Sequence, residues 1–138
     1  MAKRSSTARR TAVALARCCA ENRCRDVAVL DLRGLSPVTD FFVLATGTSA
    51  RQMKAVADHV VETGQERGEK PFGVEGAEGS KDAAPARWVL VDFVDVVIHV
   101  FTEESRSYYD LELLWGDAPR VDWKRGWKPR PEEELPQP

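Results

Sequence analysis

The alternation of apolar and polar residues along the chain predicts eight secondary-structure elements. Strands are predicted over residues 26–34, 41–47, 70–76, 88–93 and 96–101, and helices over residues 11–21, 48–68 and 102–116. The resulting order is α-β-β-α-β-β-β-α. Strands joined by short loops favour antiparallel pairing, whereas a helix between two strands favours a parallel pair. The pattern therefore predicts an α/β (α+β) domain with a mixed five-stranded sheet and helices packed on it.

The two longer predicted helices carry recognisable start and stop signals. Ser49 with Gln52 three residues later matches a capping box, in which side chain and backbone groups at the helix start bond each other. Thr102 is the candidate N-cap of the last helix, and Gly116 ends it. Apolar residues then recur at helical spacing, which predicts one buried stripe on each helix. The stripes are Met53, Val56, Ala57, Val60 and Val61, and Tyr108, Leu111, Leu114 and Trp115.

Residues 88–101 predict a hairpin whose two faces differ in chemistry. If Phe93 pairs with Val96, one face is wholly aliphatic and aromatic and should meet the helices, because side chains alternate along a strand. The opposite face is half apolar and half polar. It holds the pairs Trp88–Phe101, Leu90–His99 and Asp92–Val97. This face is either partly covered, with Trp88 on Phe101 and His99 bonded to a neighbour, or it is exposed and binds a partner.

The turn of this hairpin is unusual. A two-residue turn at Val94–Asp95 requires a positive φ angle, which β-branched residues disfavour. We therefore expect a longer loop, held by a side-chain bond from Asp92 or Asp95.

Charge is distributed unevenly along the chain. Residues 75–117 contain ten acidic and three basic residues, a net charge of −7, whereas residues 1–25 carry +6. An acidic region is a poor ligand for phosphate backbones and suits a basic protein surface. No uninterrupted apolar run approaches the roughly 20 residues that cross a bilayer.

The sequence predicts one domain flanked by two tails. Residues 1–10 form a basic tail, residues 11–119 the folded domain, and residues 120–138 an extended or disordered tail whose two tryptophans could dock. Residues 77–87 are small and polar and predict a loop. Three cysteines without a secretion signal or zinc spacing indicate reduced thiols in a cytoplasmic protein.

Catalytic motifs are absent from the sequence. Gly47–Ser49 before a helix could hold a phosphate, and Asp92 with Asp95 could hold a metal ion, which faintly suggests nucleotidyl transfer. The first is also an ordinary helix start, and the two aspartates lie at a hairpin tip without a third carboxylate. We predict a protein that is not an enzyme and has no metal or cofactor.

Three segments together resemble the ribosomal silencing factor family, also called Iojap-like proteins. They are TDFFVLATGTSARQ, WVLVDFVDVVIHVF and YYDLELLWGDAP, preceded by DVAVLDL, and the resemblance covers about residues 11–119. It implies a nucleotidyltransferase-like fold without the catalytic carboxylates. It also implies binding to the large ribosomal subunit through its fourteenth protein, at the face where the small subunit docks.

The implied function is translational repression during nutrient shortage, by steric occlusion of subunit joining. Members of the family are often homodimers when free, and organellar relatives assist large-subunit assembly, which is the alternative function. The ribosomal partner should be basic, so the acidic, mixed face of the hairpin is the candidate contact surface. The predicted contact residues are Trp88, Leu90, Asp92, Asp95, Val97 and His99, with Arg106, Tyr109 and Trp115 on the neighbouring helix.

Three features depart from the family pattern. Val94 stands where relatives usually have glycine, the loop of residues 77–87 is longer than usual, and a tail follows Val121. The basic segment of that tail, residues 124–130, either makes a minor contact with ribosomal RNA through charge and stacking or has no role.

Overall fold

The structure, a computed structural model, describes residues 2–76 and 87–128, with side chains from residue 7 onward. The predicted 77–87 loop lies almost wholly outside the described residues. The helices are α1 (Ala2–Glu21), α2 (Ala50–Glu66), α3 (Glu103–Tyr109) and α4 (Leu111–Leu114). The strands are β1 (Arg25–Asp31), β2 (Phe41–Thr46), β3 (Gly73–Glu75), β4 (Trp88–Asp92) and β5 (Val96–Phe101).

The five strands form one mixed sheet in the order β1-β2-β5-β4-β3. Only β2 and β5 pair in parallel; the other neighbours are antiparallel. The predicted hairpin register is confirmed, because Val91 lies opposite Ile98 and Leu90 lies opposite His99. The mixed five-stranded sheet is therefore as the sequence predicted, while its relation to nucleotidyltransferases stays a prediction.

One face of the sheet forms the main core with α1 and α2. Val29, Val43, Ile98 and Val91 follow one another across four strands and are all buried. Helix α1 contributes Leu15, and α2 contributes its predicted stripe, of which Met53, Val56, Ala57 and Val60 are fully buried. Alternation along the strands and the helical period along α2 thus specify the same core.

Helix α2 begins at its predicted capping box and ends against the hairpin. The Ser49 hydroxyl accepts the Gln52 N–H at 3.1 Å, and the Gln52 side chain accepts the Thr48 N–H at 3.0 Å. Gly64 lets the end of the helix lie close to the hairpin, because it has no Cβ atom. A Cβ atom at this position would lie only 2.5 Å from Cζ of Phe93 and would clash with the ring.

Both ends of the chain are more structured than the sequence suggested. Helix α1 starts at Ala2, so residues 2–10 of the predicted tail are helical, and Ala8 is buried in the main core. Beyond residue 119, Val121 and Trp123 are buried, and the Trp123 indole N–H donates to the Val27 carbonyl at 2.9 Å. The physical reason is similar at both ends: Ala8 packs near Phe93 and Val96, and Val121 and Trp123 pack beside β1. Residues 129–138 lie outside the described part.

The predicted helix over residues 102–116 is two short helices. It breaks at Asp110, which adopts a left-handed conformation with φ 45° and ψ 59°. Asp110 ends α3 and caps α4 by accepting the Leu113 N–H. Aspartate tolerates this conformation and is a preferred N-cap, so the break costs little locally.

Candidate functional site

The face of the sheet opposite α1 and α2 is only partly covered. Residues after the α3–α4 break fold over β1 and β2 and close a second, smaller core. Its buried members are Leu30, Leu32, Leu44, Phe101 and Ala118, with Leu111 and Trp115 packed against them. Toward β4 the cover ends, and Leu90, Asp92 and Val97 are half-exposed. We call these three residues the open sheet patch.

An aromatic cluster marks the boundary between the covered and open parts. The Trp88 ring lies 4.9 Å from the Phe101 ring and 4.7 Å from the Tyr109 ring, measured between centroids. Phe42 contacts His99 edge-on at 4.5 Å and lies 6.2 Å from Trp115. The cluster therefore ties α3 and the start of the 115–118 segment to the sheet.

His99 is an internal member of this cluster. Only 4% of its surface is exposed, and its Nδ1 accepts the Trp88 indole N–H at 3.0 Å. Burial lowers the pKa of His99 to about 4, so the ring is neutral at physiological pH. The structure thus favours the reading in which Trp88 packs on Phe101 and His99 bonds a neighbour. His99 shapes the face and does not lie on its surface.

The hairpin tip uses its aspartate as the sequence suggested. An Asp92 carboxylate oxygen accepts the Val94 N–H at 2.7 Å, and the Asp95 N–H bonds the Phe93 carbonyl at 3.0 Å. Val94 has φ 73°, a costly conformation for a β-branched residue. The carboxylate of Asp92 therefore holds a strained turn. Across residues 2–76 and 87–128, no three Asp, Glu, His or Cys side chains are grouped so that they could hold a metal ion.

Arg106 is committed to bonds within the molecule. Its guanidinium donates to the Asp26 carbonyl at 2.6 Å, to the Thr46 hydroxyl at 2.9 Å and to Glu112 at 2.9 Å. Burial alone would raise the pKa of Glu112, but hydrogen bonds from Arg106 and Arg120 lower it below its ordinary value. Arg106 therefore positions α3 and α4 on the sheet.

The break at Asp110 exposes apolar side chains that the sequence placed in the core. Tyr108 and Leu114 are 82% and 71% exposed, and only Leu111 and Trp115 of the predicted stripe pack inward. Leu113 and Tyr109 are also exposed, at 77% and 53%. We call Tyr108, Tyr109, Leu113 and Leu114 the α3–α4 patch. Asp110 was the one sequence signal of this break, because aspartate is a preferred residue at the start of a helix.

The predicted contact residues do not all lie on one surface. Leu90, Asp92, Val97 and Tyr109 have accessible surface, and Trp88 and Trp115 are half-buried between them and the smaller core. His99 and Arg106 act from inside. Asp95 lies at the opposite end of β5 from Arg106, roughly 20 Å away along the strand, so the two do not form one site. Phe42, which contacts both His99 and Trp115, was missed because its strand is uniformly apolar.

Comparison with known proteins assigns the chain to a family. The family model described as "Ribosomal silencing factor during starvation" matches residues 5–137. This chain is a member of the ribosomal silencing factor family. The family signature was therefore identified correctly from the sequence, and the match extends past residue 119, over the region where Trp123 is docked.

Characterised relatives and solved structures agree with this membership. The ribosomal silencing factor of Bacillus subtilis is 43% identical over 75% of this chain and 83% of its own length. The chloroplastic Iojap protein of Zea mays is 35% identical over 80% of this chain and 46% of its own. A crystal structure from Chromobacterium violaceum superposes with a TM-score of 0.71 at 34% identity, covering 88% of this chain and 89% of the other.

Proposed function

We propose that this protein represses translation by binding the large ribosomal subunit and sterically blocking its joining with the small subunit. The α3–α4 patch beside the open sheet patch is the observation that carries the proposal. Soluble proteins rarely leave contiguous apolar patches without a partner, and aromatic residues are enriched at binding interfaces. The names of the relatives point to the same partner, including a mouse relative named "Mitochondrial assembly of ribosomal large subunit protein 1".

The charge of this region suits a basic ribosomal protein. Asp92 belongs to the open sheet patch, and Glu104 and Asp110 lie close along the chain to the α3–α4 patch, within the segment that has a net charge of −7. Opposite charge steers encounter and fixes orientation, whereas buried aromatic and aliphatic side chains supply most of the affinity. We infer that the partner is the fourteenth protein of the large subunit, at the intersubunit face, and that binding there lowers translation during nutrient shortage.

The proposed activity needs no chemistry. The Asp92 carboxylate is occupied by the turn, and the capping box occupies the Gln52 and Thr48 N–H groups at the start of α2. We therefore propose a non-catalytic regulator that acts in the cytoplasm and needs no cofactor. No helix in the described part of the chain is long and apolar enough to cross a membrane. In the absence of ribosomes, we propose that the α3–α4 patch pairs with a second copy.

Co-sedimentation with purified large subunits tests the surface. Leu113→Lys and Val38→Lys form a matched pair, because both side chains are 77% exposed and only Leu113 belongs to the α3–α4 patch. Surface substitutions of this kind change stability by about 0.5 kcal/mol or less. We expect wild type and Val38→Lys to sediment with the large subunit, and Leu113→Lys to stay at the top of the gradient.

Two results would change the proposal. Equal binding by all three proteins would move the docking surface away from the α3–α4 patch. Binding of wild type only to immature particles from a subunit-assembly mutant, and not to finished subunits, would replace repression by a role in assembly.

A further inference from the structure

Two cysteines meet at the C-terminal end of α1. The helix ends in a Schellman motif: the Cys24 N–H donates to the Cys19 carbonyl at 3.0 Å, and the Arg23 N–H donates to the Ala20 carbonyl at 3.1 Å. Arg23 has the left-handed conformation that this motif requires, with φ 72°. In a Schellman motif the side chains at the Cys19 and Cys24 positions face each other. The backbone therefore brings two thiols together.

The environment of the two sulfur atoms is asymmetric. Cys19 is fully buried in the main core, whereas Cys24 is half-buried. The Cys19 thiol hydrogen-bonds the Cys24 sulfur, and the Gln52 side-chain amide also donates to it at 3.6 Å. Gln52 is itself held by the capping box and by the Asn22 carbonyl at 2.7 Å. Two positioned donors thus point at one sulfur.

Cys24 also lines an open cavity of about 720 Å³ between β1 and the C-terminal segment. Trp123 and Trp127 form much of the apolar wall, and the charged lining residues are Asp26, Arg106, Glu112, Arg120 and Lys124. Arg106 and Arg120 are paired with Glu112. A cavity of this size admits a small peptide-like molecule. The sulfur of Cys24 is therefore reachable from solvent, while that of Cys19 is reachable only from Cys24.

We propose that Cys24 and Cys19 form a redox modification site that reacts with low-molecular-weight disulfides such as oxidised glutathione. The Cys24 thiolate attacks one sulfur of the small disulfide, forming a mixed disulfide and releasing one thiolate. That thiolate takes up a proton from solvent. The Cys19 thiol then attacks the Cys24 sulfur, and its proton passes to the departing second sulfur, which leaves as a thiol. The two cysteines are oxidised to one disulfide, and the small disulfide is reduced to two thiols.

The acidity of the two thiols follows the same order. The hydrogen bond from Cys19 lowers the pKa of Cys24 against the effect of burial, and the Gln52 amide lowers it further. The hydrogen bond to Cys24 and burial together raise the pKa of Cys19. The more acidic, more accessible thiol is the attacking one, as thiol–disulfide exchange requires.

Cys18 provides the internal control. It lies one residue from Cys19 but points away from this pair, since its sulfur accepts bonds from the Thr63 hydroxyl at 3.5 Å and from Asn22 at 3.7 Å. Cys18 also lines a different cavity, beside His59 and Glu62. The proposed reaction therefore leaves Cys18 unchanged.

Mass spectrometry of the folded protein with oxidised glutathione tests the site. Wild type and Cys18→Ala should each lose two hydrogen atoms and retain no glutathione, with peptide mapping placing the bridge between residues 19 and 24. Cys19→Ala should retain one glutathione on Cys24, because the resolving thiol is gone. Cys24→Ala should stay unmodified. Circular dichroism of each variant establishes that it is folded.

Two outcomes would overturn the proposal. The first is an unmodified Cys24 in folded Cys19→Ala, which would mean that the cavity does not admit the small disulfide. The second is a stable glutathione adduct on wild type, which would mean that Cys19 does not resolve the mixed disulfide. Neither depends on ribosome binding.

Discussion

The two faces of the sheet use alternate residues of the same strands, yet only one is closed. Val91 and Ile98 meet α1 and α2 in the main core, whereas their neighbours Leu90 and Val97 lie on a face that α4 and residues 115–118 cover only in part. The closed face contains no polar side chain across its central rows. The half-covered face contains a buried histidine, an aspartate and the aromatic rings of Phe42, Trp88 and Phe101. The first face serves stability, and we propose that the second divides its residues between packing and partner binding.

Truncation of one residue on each face gives the largest expected contrast. Ile98→Ala should lower the free energy of unfolding by about 2–5 kcal/mol, because a fully buried aliphatic side chain leaves a cavity. Leu90→Ala, on the neighbouring strand and the half-exposed face, should cost about 1 kcal/mol. Urea unfolding measures both. Equal losses would mean that the second face is as closed as the first.

Acid should weaken the second face through His99. Above pH 6.5 the ring is neutral in the folded and unfolded chains, and its contribution to the free energy of unfolding is fully present. As pH falls from 6.5 toward 4, the unfolded chain takes up the proton and the folded chain does not, so stability falls by up to about 3 kcal/mol. The free energies of unfolding of wild type and His99→Gln, measured between pH 8 and about 4, should converge as the contribution of neutral His99 is lost.

His59→Gln is the matched control for this pH dependence, since His59 is the only other histidine. It is half-buried and bonds Asn22 on the far side of the molecule. If His59→Gln flattened the pH profile and His99→Gln left it unchanged, the aromatic cluster would not hold a neutral histidine.

Overpacking tests the closed face from the helix side. Gly64→Ala should destabilise by about 1–3 kcal/mol, because the new methyl group meets the Phe93 ring. The double variant with Phe93→Leu should recover part of this loss, since leucine leaves room for the methyl group. Additive losses in the urea midpoints would show that the two residues do not press on each other.

The smallest effect is expected at the turn that both faces share. Val94→Gly should stabilise the protein by about 1 kcal/mol, since glycine adopts φ 73° without strain and Val94 is 47% exposed. Val94→Ala keeps a Cβ atom and serves as the control, with no comparable gain. A loss of stability in Val94→Gly would place the strain elsewhere.

The closed face was predictable from the sequence, and much of the second face was not. The period of two fixed the hairpin register from Trp88 to Phe101, and the helical period with the capping box fixed α2. The stripe from Tyr108 to Trp115 is equally compatible with one continuous helix. Only the packing of Leu111 and Trp115 onto the sheet selects the break at Asp110. Covering of His99 and docking of Trp123 also depend on contacts between segments distant along the chain.

Subunit joining measured by light scattering tests the central claim most directly. Purified large subunits are incubated with the protein, small subunits are added, and the joined fraction is recorded against protein concentration. The account predicts that wild type and Val38→Lys lower the joined fraction in step with occupancy of the large subunit, and that Leu113→Lys does not. Normal joining on large subunits saturated with wild-type protein would contradict it.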